Sequence, residues 1–94
     1  MKVVWSNRAL RSLAAIHGHI SADSEANAHR VIDRILKRGD QLSTFPLSGR
    51  IVIHPRHRNI RELIEEPYRI IYRVRRNEVN VIDVFHSARR PPWN

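Results

Sequence analysis

The chain has 94 residues, enough for one domain with one modest core and too few for two. It contains no cysteine, which excludes disulfides and thiolate metal sites, and no apolar run near the roughly 20 residues that span a bilayer. Seventeen Lys and Arg against nine Asp and Glu give a net charge of +8, so the expected partner is anionic, either nucleic acid or an acidic protein.

Residues 1–94 are therefore read as a single domain. Lys2 and Lys37 are the only lysines, so the positive charge is almost all guanidinium, whose planar fork matches phosphate and carboxylate. The opening MKVVWSNRAL turns polar too quickly for a secretion signal, and a soluble, cytoplasmic protein is expected. No helix pairs a basic face with large apolar residues, so membrane-surface binding is not expected.

In chain order, KVVW reads as a short strand and Ser6 as the cap of a first helix. Its apolar stripe is Ala9, Leu10, Leu13, Ala14, Ile16, His17 and Ile20. The stretch SADSEAN turns the chain, with Ser21, Asp23 or Ser24 as the next cap. Glu25 follows in a first turn, where negative charge suits the helix dipole. A second helix is expected from about Glu25 to Ser43, striped by Ala28, Val31, Ile32, Ile35, Leu36 and Leu42. Gly39 interrupts that stripe and marks a place to fray. Pro46 in FPLSGR ends the helical part.

The remainder reads as strands: a short, irregular edge in RIVIHP, then NIRELI, YRIIYRV and EVNVIDVF, the last two joined through the polar turn RRN. The order β-α-α-β-β-β predicts an α+β fold. An N-terminal strand and a helical hairpin precede a three- to four-stranded antiparallel sheet, with the helices on one sheet face and the other face open for binding.

Strand parity selects the candidate site. Tyr68, Ile70, Tyr72 and Val74 share one face, and Arg69, Ile71 and Arg73 the other. His86 shares its face with Ile82 and Val84. A suitable register would bring Arg69 or Arg73 to His86, with Arg61 joining from the neighbouring strand. Such a group suits RNA cleavage without a metal. Histidine would move a proton near neutral pH, and arginines would stabilise charge building on phosphorus. The plain alternative is a hydrogen-bonded histidine at a strand end and arginines on a solvated sheet face. His54 and His57 flank Pro55 with no third ligand nearby, and read as part of a basic loop. No cofactor and no metal site is expected. Arg58, Arg61, Arg73, Arg89 and Arg90 are the candidate contacts to a nucleic acid or other target. The aromatics of YRIIYRV alternate away from its arginines, which weakens a base-stacking platform.

The stretch NIRELIEEPYRIIYRVRRNEVNVIDVFHSARRPP resembles the C-terminal half of the RelE/ParE family of type II toxins, and FPLSGR resembles the loop after that family's second helix. The element order agrees as well. The resemblance implies a toxin held in a hetero-oligomer by a cognate antitoxin, with one of two targets. ParE-like members poison DNA gyrase; RelE-like members cut mRNA on the ribosome. Arg69 and His86 match residues that serve catalysis in several RNase members, and would be catalytic in that branch only. Ser87 stands where those members often have tyrosine, and no glutamate matches their catalytic one. The long paired helices and the wording RELI…PYRIIYRV…VFHSARR resemble the ParE branch more closely, which implies gyrase as the target.

Overall fold

A computed structural model describes residues 1–89. Strand β1 (Lys2–Trp5) leads into helices α1 (Asn7–Ser21) and α2 (Glu25–Asp40), a 3-10 turn (Gln41–Ser43), and strands β2 (Arg50–Ile51), β3 (Ile60–Glu65), β4 (Tyr68–Val74) and β5 (Glu78–His86). The five strands form one sheet in the order β1-β5-β4-β3-β2. β2 to β5 are antiparallel to their neighbours, whereas β1 lies parallel to β5, Lys2 opposite Glu78. The α+β class and element order expected from the sequence are those observed. No helix among the described residues is long and apolar enough to cross a membrane.

Local chemistry accounts for the helix boundaries. The Ser6 hydroxyl accepts from Ala9 N at 3.0 Å and that of Ser24 from Asn27 N at 3.1 Å, so each satisfies a donor the first helical turn leaves open. Of the three residues proposed to cap α2, Ser24 does so. α2 stops at Asp40 and only the 3-10 turn carries on to Ser43, three residues short of the expected span. Gly39 is not a frayed position. It is buried, and a Cβ there would lie 2.4 Å from the Trp5 ring, so glycine lets β1 approach the helix. On α1 the core takes Ala9 and Leu13, while Leu10 and Ala14 face solvent, so the buried stripe is narrower than expected.

The main core lies between the helices and one sheet face. Ala9, Leu13, Val31, Ile35 and Leu42 meet Leu63, Tyr68, Ile70, Tyr72, Val79, Val81 and Val84. A smaller cluster of Ile60, Ile71 and Phe85 sits on the opposite face, covered in part by Val52 and Ile82. Trp5 packs against the main core, and Phe85 is buried in the smaller cluster.

Tyr72 anchors the loop between α2 and β2. Its side chain is fully buried; its hydroxyl accepts from Gly49 N and donates to Pro46 O, both at 2.9 Å. Tyr72→Phe leaves both backbone groups unpaired and is expected to cost about 1–2 kcal/mol at neutral pH, read by urea unfolding. Burial raises the Tyr72 phenol above its ordinary 10.0, against the opposing pull of the Gly49 hydrogen bond and the Arg61 and Arg38 charges. As pH rises, the unfolded chain gives up this proton first. Stability is therefore unaffected below about 10 and falls as pH climbs towards the folded pKa. Tyr72→Phe should remove that alkaline loss.

Candidate functional site

The register between β4 and β5 decides where the candidate residues point. Tyr68 pairs with His86, Arg69 with Phe85, Ile70 with Val84 and Ile71 with Asp83, but Tyr72 pairs with Val81. One extra residue in β5 is thus accommodated beside Ile71 and Tyr72. Such a bulge leaves two successive side chains on one side and shifts the alternation by one. Ile82 packs with the open-face cluster, Asp83 is opposite open-face Ile71, and Val84 returns to the helix-side core. The expected grouping of His86 with Ile82 and Val84 therefore fails at Ile82.

The same register separates the expected pair. His86 lies opposite Tyr68, on the helix side; the two rings meet edge-on with centroids 5.6 Å apart. Its Nδ1 accepts from Ala88 N at 3.1 Å. Beside it, Ser12, Ile16, His19, Tyr68 and Arg89 help line a cavity of about 310 Å³. Arg69 is on the open side, its guanidinium 5.9 Å from the Phe85 ring centroid and its Nη1 3.6 Å from Glu62 Oε2. The convergence of Arg69 or Arg73 on His86 does not occur.

Glu62 organises the open face. Its carboxylate is 4% exposed, accepts from Arg50 Nε and Nη2, and faces Arg69 on its other oxygen. At the end of the same strand Glu65 faces Arg34 at 3.4 Å and Arg38 at 3.9 Å on α2. A second buried carboxylate, Asp83, sits at the bulge. It accepts from the Ser12 hydroxyl at 2.5 Å and from Val84 N at 2.8 Å, and lies 3.2 Å from Arg8 Nε.

The segment after β2 folds over this face. With strands β3 to β5 it encloses a cavity of about 600 Å³, where His54, Arg56 and His57 stand over Ile60, Ile71 and Ile82. His54 Nδ1 accepts from the backbone N–H groups of Arg56 and His57. Desolvation, then His57, Arg73 and Arg56, push the His54 pKa below its ordinary value, in keeping with a neutral ring that accepts both bonds.

A family model for the ParE toxin of type II toxin–antitoxin systems, parDE, matches residues 3–91. The chain belongs to the ParE toxin family. A putative toxin, Y4kP, of Sinorhizobium fredii is 37% identical over 93 residues, spanning 97% of this chain and 93% of the relative. Toxin RelE2 of Caulobacter vibrioides is 35% identical over 89 residues, 94% and 97% of the two chains. The fold is that of a chain in the chromosomal ParDE system of P. aeruginosa, with TM-score 0.79, 22% identity and coverage of 92% and 95%. A chain of the RelBE2 toxin–antitoxin complex from Mycobacterium tuberculosis gives 0.70, 19%, 90% and 95%.

In this ParE-family toxin the sequence-predicted residues divide among several places. Arg58 and Arg73 come together at one end of the sheet, around a shallow depression they share with Arg56, Arg75 and Arg76. Arg61 does not line that depression: its Nη1 donates to Gly49 O at 2.8 Å and Leu47 O at 3.1 Å, which ties down the loop before β2. Arg89 is exposed beside His86 at the other end. Arg90 lies outside the described residues. Sequence reading passed over Arg75 and Arg76 as a polar turn; the run RVRR at the end of a strand was the available signal.

Proposed function

We propose that this ParE-family toxin arrests growth by inhibiting DNA gyrase in the cytoplasm, and that a cognate antitoxin neutralises it in a hetero-oligomer. The observation that carries the reading is the placement of Arg69 and His86 on opposite faces of the sheet. An RNase mechanism needs both at one phosphate, with the base and the charge-stabilising groups within hydrogen-bond reach of the reacting atoms. Here Arg69 is engaged with buried Glu62, and His86 stands against Tyr68. In this reading the chain is a protein-binding inhibitor without catalytic residues. The match of the ParE toxin model across residues 3–91 supports it further. The net charge of +8 favours an antitoxin segment rich in carboxylates, which would also speed its capture.

The test is a gyrase supercoiling assay with purified toxin, titrated with and without the antitoxin encoded beside it. Supercoiling is expected to fall with toxin, cleaved DNA to accumulate on the enzyme, and antitoxin to restore activity. Undiminished supercoiling at large toxin excess, together with cut mRNA on translating ribosomes, would replace this reading with the RelE-like one.

A further inference from the structure

We propose that the end of the sheet carrying the β4–β5 turn is a binding site for the phosphate backbone of duplex nucleic acid. The site is built from two segments far apart in sequence. Arg73, Arg75 and Arg76 come from the end of β4 and its turn, and Arg56 and Arg58 from the segment before β3; together they line a depression of about 450 Å³. None of these five guanidinium groups forms an ion pair among the described residues, whereas Arg8, Arg34, Arg38, Arg50 and Arg69 each face a carboxylate. Arg73 Nε is buried without a hydrogen-bond partner, so part of the site is already desolvated and unsatisfied. Desolvation and His57 lower the His54 pKa most, and the charges of Arg73 and Arg56 add to that shift.

The lining selects the ligand class. Among the described residues Val74 is the only apolar side chain around the depression, so an amphipathic acidic peptide would find no pocket for an anchor. Among the described residues no aromatic ring other than His57 lines it, which leaves a single strand no stacking platform. Arginines alone, spaced across two chain segments, match phosphates whose positions a duplex fixes. Such contacts position the protein on the backbone and read no sequence. The site does not depend on the gyrase reading, because it needs only the toxin and nucleic acid.

The experiment measures binding of the purified full chain to a 20-base-pair (roughly two-turn) DNA duplex of arbitrary sequence by fluorescence anisotropy across salt concentrations. Four or so phosphate contacts give a log–log salt slope of about −3 to −4, or on the order of 100-fold weakening from 50 to 200 mM salt. The double variant R75A/R76A is expected to flatten the slope by about 2 and to bind at least tenfold more weakly at low salt. Both positions are exposed in a turn, so folding is retained, as circular dichroism would verify. R11A/R30A, which removes the same charge from exposed helix positions, should bind as the unaltered chain does. RNA duplex run in parallel separates the two sources of such a backbone; tighter binding to either supports the site. Equal loss in both double variants would reduce the effect to net charge and overturn the proposal. So would unchanged binding by R75A/R76A, or preference for single strands or a polyglutamate peptide over both duplexes.

Discussion

Gly49→Ala is expected to lower stability by about 3 kcal/mol. The added Cβ would lie 2.5 Å from the Tyr72 hydroxyl oxygen, 2.7 Å from the Glu62 carbonyl oxygen and 2.7 Å from Tyr72 Cε1. None of these can yield cheaply. The carbonyl belongs to the backbone of β3, and Tyr72 is completely enclosed. Displacing its ring also breaks the hydroxyl bonds to Gly49 and Pro46, so overpacking and lost hydrogen bonds act together. Gly39→Ala makes a useful contrast. Its Cβ meets Trp5 at 2.4 Å, but that ring is only half-buried and alanine gains about 1 kcal/mol in a helix, so a net loss near 1 kcal/mol is expected. Urea unfolding of both variants gives the comparison. A Gly49→Ala midpoint equal to that of the unaltered chain would show that the loop does not rest on Tyr72.

Arg69→Ala is expected to cost about 2–3 kcal/mol and, through that, to reduce growth arrest. It leaves Glu62, 4% exposed, with Arg50 as its remaining cationic partner, and the Arg50 side chain is 71% exposed. A buried carboxylate that loses one of two cations bears a desolvation cost that a solvated arginine offsets only in part. Adding Glu62→Gln removes the uncompensated charge and should recover about half the loss. His86→Ala should change stability by less than about 0.5 kcal/mol, since the side chain is exposed. If growth arrest tracks stability across these variants and survives His86→Ala, neither residue is a catalyst. Arrest abolished by His86→Ala in a normally folded chain would count against the gyrase reading. Arg69→Ala alone is a poor probe of catalysis, because a failing fold and a missing catalyst look the same in a growth assay.

The sequence displayed the elements and the faces of β4 plainly, because caps and two-residue alternation are local signals. Ser6 and Ser24 cap where expected, and Tyr68, Ile70 and Tyr72 point together into the core. The site was less legible because it depends on how strands meet. Nothing in VIDVF marks the bulge that carries Ile82 and Asp83 to one side and returns His86 to the other. Gly39 looked like a weak point of a helix since its reason, the Trp5 ring, lies across the fold. Arg56 and Arg58 meet Arg73, Arg75 and Arg76 only when β3 folds back against β4. Arg61 looked equally available from parity, yet the carbonyls of Leu47 and Gly49 occupy it.

The parallel pairing of β1 with β5 sets the order in which this toxin can assemble. β1 is an edge strand whose one neighbour is β5, so the first strand made must wait for the last. The Ser6 amide and hydroxyl also donate to Val81 O and Ile82 O, which fastens the start of α1 to the same late strand. Contacts of such long sequence separation slow folding. On the ribosome, the helical hairpin can form early while the sheet stays open until β5 emerges. A nascent copy therefore keeps an open sheet until β5 has emerged, and the finished surface appears all at once.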